Sequence, residues 1–136
     1  MIRYALLAAV LALPAAVHAQ DSVKPGYWEA VDEVPLLHKR TVDKICVTPA
    51  KVAKFMSGPS NHIYACAYPE HTAADGVIRF RGRCVDKKGF GYGISGEGRF
   101  TETTLSLTGH ATVLGLPIKA TTDAHRVGDI CPPDAK

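Results

Sequence analysis

The chain has 136 residues, of which 46% are hydrophobic and 7% aromatic, and its formal net charge is +3. This balance is typical of an ordinary globular domain, and the charge is too small to indicate nucleic acid or an anionic membrane as a partner. The length suits one domain with a modest hydrophobic core.

The N-terminal segment, residues 1–19, has the pattern of a cleaved secretory signal peptide. It places Arg3 before an apolar run over residues 5–13 and ends in a small-residue cleavage site at Ala19. The run is too short to cross a bilayer, which takes roughly 20 apolar residues, and no cysteine follows the cut to carry a lipid. We therefore predict no membrane span and a single soluble domain over residues 20–136, exported to the periplasm.

The first elements of the domain are two strands and a helix. Residues 26–34 predict a strand whose Trp28, the single tryptophan, is a buried anchor rather than a ligand-stacking residue. Residues 38–47 predict a second strand. Thr48 and Pro49 then suit the N-cap and first position of a helix, and the apolar residues that follow recur at i, i+3 and i+4. This is the only helix that the sequence predicts.

Residues 63–68 and 77–85 predict a β-hairpin. The second stretch alternates apolar and arginine residues with period two, as a half-buried strand does. An Ala-Asp-Gly turn centred on Asp75 joins the two stretches. A hairpin with this centre places Cys66 directly opposite Cys84, within disulfide reach.

The four cysteines indicate two disulfides, because exported proteins fold in an oxidising compartment and the spacings are too wide for a zinc site. With Cys66 joined to Cys84, Cys46 and Cys131 pair by elimination and tie an early strand to the C-terminal tail. A rival pairing, Cys46–Cys66 with Cys84–Cys131, stays open because a hairpin register can slip by a residue.

The rest of the chain predicts three more strands, over residues 89–100, 103–114 and 116–127. Apolar and polar residues alternate along the last two, and Gly115-Leu116 supplies a tight turn between them. Short strands joined in sequence indicate an antiparallel meander, and glycines within them allow the sheet to bend. The predicted fold class is therefore mainly all-β: about seven strands that curl into an open or closed barrel, with one short helix.

Two patterns of nucleotide-binding or catalytic type favour a structural interpretation. GYGISG, residues 91–96, matches G-x-G-x-x-G, but it lies within a strand and no helix is predicted after it to receive a pyrophosphate. The predicted last turn would place Ser106 opposite His125, with Asp123 on the same face. A flat polar strand supplies neither a strained nucleophile turn nor oxyanion donors. We therefore expect no catalytic residues and no enzyme activity.

The remaining polar residues single out no ligand site. Five histidines follow the predicted cleavage site and form no tight ligand pair with a carboxylate, so no metal or cofactor is predicted. These are His38, His62, His71, His110 and His125. Arg79, Arg81 and Arg83 share one strand face and could meet an acidic partner or an anionic glycan, although solvated outward charge is the simpler interpretation.

Several motifs occur in a fixed order along the domain. They are PGYWE at residues 25–29, CVTP at residues 46–49, the pair Cys66 and Cys84, and RVGDICP at residues 126–132. Together they resemble a widespread family of small exported bacterial proteins of unknown function, with a P-G-x-W-E start and a G-D-C-P-like end. Here Ile130 separates the terminal aspartate from its cysteine. The resemblance implies export and a disulfide-stabilised domain, and it implies no activity or catalytic residue.

These features predict an exported periplasmic β-domain that acts as a non-enzymatic binding or interaction module of the cell envelope. An inhibitor of a periplasmic or cell-wall hydrolase and a carrier of a small apolar ligand are the alternatives. The partner would be a protein or a small molecule, and no nucleic acid is expected. A cavity inside the curled sheet would favour the carrier, and an exposed loop of complementary residues would favour the inhibitor.

Overall fold

Seven strands and one short helix form the domain. The computed structural model describes residues 22–59 and 64–135, so the predicted signal segment and His62 lie outside the described residues. The strands are β1 (Gly26–Val34), β2 (Lys39–Val47), β3 (Tyr64–Ala74), β4 (Val77–Asp86), β5 (Gly91–Phe100), β6 (Thr104–Val113) and β7 (Leu116–Gly128), the helix is α1 (Pro49–Met56), and Pro35–Leu37 is a 3₁₀ turn. The predicted fold class is confirmed. The strand ends differ from the predicted ones by two residues at most, except that β3 extends six residues beyond its predicted end at residue 68.

The strands form one antiparallel sheet in the order β2-β1-β7-β6-β5-β4-β3. Neighbours in the chain pair with each other except β2 and β3, which are the two edges, and β7 returns to pair with β1. The predicted meander is therefore confirmed, with its first and last strands joined. The result is an open barrel whose opening lies between β2 and β3.

The position of the core shows how strongly the sheet curls. Trp28 of β1 belongs to the same buried cluster as Ile78 and Phe80 of β4 and Phe100 of β5. On a flat sheet β1 and β4 would lie about 19 Å apart, since neighbouring strands are about 4.8 Å apart. The sheet therefore wraps its concave face around these side chains. The predicted burial of Trp28 is confirmed, because only 3% of the residue is exposed.

The helix α1 connects the two edge strands and covers part of the opening between them. It begins as predicted, with the Thr48 side chain accepting a hydrogen bond from the backbone N–H of Lys51 (3.2 Å). Val52 on its apolar face is buried in the core cluster. After the helix, the Pro59 carbonyl accepts a hydrogen bond from the Tyr68 hydroxyl of β3. The connection is thus fastened to both the core and the edge strand.

The turn of the β3–β4 hairpin is tighter than predicted. It consists of Asp75 and Gly76 alone, both at positive φ (53° and 73°), which suits the right-handed twist of a hairpin. Ala74 therefore pairs with Val77. The predicted turn centre at Asp75 is therefore wrong, and it shifts the expected β3–β4 register next to the turn by one residue.

A β-bulge in β3 corrects that difference before the cysteines. The register shifts between Ala67 and Glu70, so that two residues of β3 lie opposite one of β4, and Cys66 then pairs with Cys84. Pro69 lies inside the bulge, where its missing N–H interrupts no regular ladder. The predicted cysteine pairing is therefore right, although the path to it differs.

The antiparallel order gives the barrel two ends. The β3–β4 turn and the start of α1 lie at one end, which we call the helix end. Three turns lie at the opposite end: residues 35–38 between β1 and β2, residues 87–90 between β4 and β5, and residues 114–115 between β6 and β7. The convex face of the sheet, opposite the core cluster, runs between these ends.

Candidate functional site

Both predicted disulfides are present. Cys66 is bonded to Cys84 with a Cα–Cα distance of 4.0 Å, and Cys46 to Cys131 at 5.6 Å. The rival pairing is therefore wrong. The first bond staples neighbouring strands, whereas the second ties β2 to the segment after β7. Their role is structural, since a disulfide-bonded cysteine supplies no thiolate for chemistry.

The predicted grouping of Ser106, His125 and Asp123 has a different register. The β6–β7 turn is Leu114-Gly115 rather than Gly115-Leu116, and Ser106 pairs with Asp123. His125 pairs with Thr104 instead. The three side chains share the convex face and line one open depression, but the imidazole is diagonal to the hydroxyl rather than directly opposite it.

The glycine-rich segment at residues 91–96 lies in β5, and β6 rather than a helix follows it. Alternation along β5 places Gly93 and Ser95 on the convex face, paired with Arg83 and Arg81 of β4. A Cβ at Gly93 would meet no atom within 4 Å. The segment therefore makes β5 a low strip between the longer side chains of β4 and β6.

One row of polar side chains crosses this strip. Direct pairing aligns Glu70 of β3, Arg81 of β4, Ser95 of β5, His110 of β6 and Lys119 of β7. Directly paired residues point their side chains to the same face, with Cβ atoms about 5 Å apart. These five residues, which we call the polar row, therefore bring a carboxylate, a guanidinium, a hydroxyl, an imidazole and an ammonium into a line about 19 Å long.

Two depressions that are open to solvent meet at the centre of the polar row. One has a volume of about 520 Å³ and extends toward Glu70, and the other has a volume of about 450 Å³ and extends toward Lys119. Arg81, Ser95 and His110 line both. Because serine has the shortest of these side chains, Ser95 lies at the bottom of the depressions, between the longer side chains of Arg81 and His110.

The three predicted arginines of β4 differ in how they are engaged. Arg79 faces Glu97 at 3.8 Å, and the Arg83 guanidinium lies over Gly91, within 2.8 Å of where a Cβ would stand. Arg81 forms no ion pair with another described residue, and neither does Lys119. The polar row thus contains two positive charges that no described carboxylate neutralises through an ion pair.

The described histidines come from four different parts of the fold, although His71 and His110 both line the larger depression. His38 takes a left-handed conformation (φ 49°) after the 3₁₀ turn, His71 pairs with Phe80 on the edge hairpin, and His125 is on β7. His110 alone belongs to the polar row. Within the described residues, no group of three metal-ligating side chains comes together.

Burial raises the pKa of two tyrosines on the concave face. The pKa of Tyr68 lies above 10.0 because burial desolvates its phenolate, and Tyr92 raises it further. Burial likewise raises the pKa of Tyr92, with a smaller contribution from Tyr64, whose ring it meets edge-on at 5.1 Å between centroids. The Tyr68 ring meets Phe80 in the same way at 5.4 Å. Tyr68 packs against the core cluster, and none of these rings belongs to the polar row.

The fold and the cysteine pairing define a class of protein: a small open β-barrel, crossed by one helix, stapled by two disulfides and polar on its convex face. The chain belongs to the family described as Protein of unknown function (DUF3617), whose model matches residues 23–131. The match includes all seven strands, the helix and the four cysteines. No curated protein and no solved structure matches the chain. In residues 22–59 and 64–135, no helix is long and apolar enough to span a membrane.

Sequence reasoning found one member of the polar row and missed the others. Arg81 stood out because it alternates with two further arginines. Ser95, His110 and Lys119 lie on three other strands, and each is an ordinary polar residue of a solvated strand face. Only the registers of four strands together show that these side chains are neighbours.

Proposed function

We propose that the protein is an exported, non-enzymatic binding module of the cell envelope, and that the polar row is its binding site. Two disulfides support an oxidising, periplasmic location, as does the signal-like pattern of residues 1–19. The observation that carries the proposal is the convergence of Arg81, Ser95 and His110 on both depressions.

The ligand class follows from the charges of the row. A carboxylate or phosphate above Ser95 would lie between the Arg81 guanidinium and the His110 imidazole, and both can donate hydrogen bonds. Hydrogen bonds to a charged group are stronger than neutral ones, and a guanidinium can engage a carboxylate or phosphate with two parallel bonds. Glu70, at one end of the row, would repel an anion. The anionic group therefore belongs on the side toward Lys119.

The geometry gives the alternatives less support. A carrier of a small apolar ligand needs an apolar cavity, whereas α1 and the core cluster pack against the concave face. A hydrolytic role is not favoured, since Ser106 faces Asp123 rather than a histidine. An inhibitor would need a loop long enough to enter a hydrolase cleft, whereas the described turns between neighbouring strands have only two to four residues.

A titration followed by amide chemical shifts tests the proposal. The probes are inorganic phosphate and a carboxylated oligosaccharide, oligogalacturonate, which together separate a phosphate site from a carboxylate site. We expect shifts centred on Arg81, Ser95 and His110. Arg81→Gln should weaken the binding of the preferred probe by about tenfold or more, since a hydrogen bond to a charged group contributes about 1.5–3 kcal/mol.

Arg99→Gln is the matched control. Arg99 lies on the convex face of β5, four residues from Ser95, and forms no ion pair with another described residue, so its loss removes the same charge outside the row. Equal weakening by Arg81→Gln and Arg99→Gln would show general attraction to a basic surface. Shifts centred elsewhere, or none with either probe, would refute the site.

A further inference from the structure

The end of the barrel opposite α1 exposes most of the large apolar side chains that lie outside the core. Eight such side chains are exposed among the described residues, and five of them lie in or directly beside the three turns at this end. They are Leu36, Leu37, Phe90, Leu114 and Leu116. We call this set the apolar rim. Leu114 is 92% exposed and Phe90 68%, so neither side chain contributes to the core.

The strand registers bring the three turns side by side. β1 runs beside β7, so the 3₁₀ turn that carries Leu36 and Leu37 lies next to the start of β7. β5 runs beside β6, so Phe90, just before β5, lies level with the Leu114–Leu116 turn. Three strand spacings of about 4.8 Å separate β1 from β5. The rim is therefore a continuous edge about 15 Å wide along the sheet.

The conformation of Leu114 shows that an apolar residue is unusual at this place. The turn Leu114-Gly115 has positive φ at both residues (50° and 80°). Hairpin turns of this kind favour asparagine or aspartate at the first position, because a bulky side chain is strained there. Leucine at this position is thus unfavourable both for the backbone and for solvation. A turn that served only to reverse the chain would gain from a polar residue.

The charged residues of the rim are mostly basic. Lys39, Lys87 and Lys88 lie in or beside the three turns, and none forms an ion pair with another described residue. Asp86 is the one acidic residue of the β4–β5 turn, and its carboxylate accepts hydrogen bonds from the backbone N–H groups of Lys88 (2.8 Å) and Phe90 (2.9 Å). The rim therefore combines exposed apolar side chains with a net positive charge, since three lysines outnumber one aspartate.

We propose that the apolar rim docks onto an anionic lipid surface, with leucine and phenylalanine tips in the acyl boundary and the lysines at the headgroups. Shallow insertion of apolar side chains together with lysine attraction to anionic lipids is how peripheral proteins bind an interface. The small net charge of the whole chain gives no indication of this partner, because the basic residues matter only where they flank the apolar tips. The polar row lies on the side of the barrel, so this inference stands apart from the proposed binding function.

Vesicle flotation tests the proposal with protein purified from the exported fraction of cells that express the full chain. The vesicles contain either phosphatidylcholine alone or phosphatidylcholine with one third phosphatidylglycerol. We expect binding to the anionic vesicles that falls as salt rises. Leu114→Ser should lower the partition coefficient by about tenfold, as expected for removal of most of one inserted aliphatic side chain. Lys87→Gln with Lys88→Gln should lower it by about thirtyfold, and only on anionic vesicles.

Ile130→Ser is the matched control, because Ile130 is 85% exposed but lies at the helix end beside Cys131. It should leave vesicle binding unchanged. Lack of binding to anionic vesicles, or equal losses with Ile130→Ser and Leu114→Ser, would overturn the proposal. A dimer in solution that Leu114→Ser dissociates would also overturn it, because the rim would then be a contact between two copies of the chain.

Discussion

Replacing Trp28 with alanine removes the largest side chain of the core and the anchor of the N-terminal segment. Only 3% of Trp28 is exposed, and its indole N–H donates a hydrogen bond to the Lys24 carbonyl at 3.0 Å. Lys24 is held in turn by Glu102, through a backbone hydrogen bond of 2.8 Å and an ion pair of 2.6 Å. Val23, next to it, is buried in the core cluster. Loss of the indole therefore loosens both the core and the segment that covers it.

The size of the effect follows from the buried area. A tryptophan buries on the order of 200 Å², which at about 25 cal/mol per Å² corresponds to about 5 kcal/mol. Denatured chains keep part of this area covered, which lowers the value, and the lost hydrogen bond adds about 1 kcal/mol. We expect Trp28→Ala to lower the free energy of unfolding by about 3–5 kcal/mol. Trp28→Phe keeps most of the apolar contact and should lower it by about 1–2 kcal/mol.

Urea denaturation followed by far-ultraviolet circular dichroism measures both variants, with both disulfides kept oxidised. In the unsubstituted protein, Trp28 fluorescence should be blue-shifted and should move to longer wavelength on unfolding. A loss below about 1 kcal/mol for Trp28→Ala, or native fluorescence already typical of an indole in water, would refute the core assignment. Trp28 would then be a candidate ligand-stacking residue.

The two disulfides and Tyr68 give further predictions. Replacing Cys46 and Cys131 together by alanine should lower the free energy of unfolding by about 4–5 kcal/mol, and replacing Cys66 and Cys84 by about 3 kcal/mol. The difference is expected because the closed loops have sequence separations of 85 and 18. A larger loss for the short loop, measured by urea denaturation, would contradict this. Burial raises the pKa of Tyr68 above 10.0, so its contribution to stability is complete below pH 10 and is lost as pH rises through the folded-state pKa. Tyr68→Phe should therefore reduce the loss of stability in alkali, and an unchanged alkaline denaturation midpoint would contradict this.

Local patterns were enough to predict the elements of the fold. Alternation along β4 indicated a strand because its side chains point to two environments, one buried and one solvated. Thr48 and Pro49 indicated the start of α1 because capping depends on neighbouring residues alone. The cysteine pairing could be predicted for a similar reason, since one hairpin brings Cys66 to Cys84 and leaves Cys46 and Cys131 for each other.

The registers between paired strands were harder to predict. A turn has several allowed lengths, and a bulge places two residues of one strand opposite one residue of the other. Because the β6–β7 turn is Leu114-Gly115, Asp123 rather than His125 lies opposite Ser106. In the β3–β4 hairpin an error of one residue at the turn was cancelled by a bulge beside Pro69, which local alternation does not reveal. A side chain's face follows from the sequence, whereas its partner on the next strand depends on both strands and the turn between them.

From the sequence alone one could predict the seven strands, the helix and the burial of Trp28, and favour the cysteine pairing that the structure has. Only the folded sheet shows that β7 returns to β1 and that Arg81, Ser95, His110 and Lys119 form one row. It also shows that five exposed apolar residues in or beside three turns meet at one end. The two kinds of feature differ in the sequence range of the interactions that produce them. Propensity, capping and alternation act over a few residues, whereas the row and the rim exist only after the sheet has curled and set distant strands side by side.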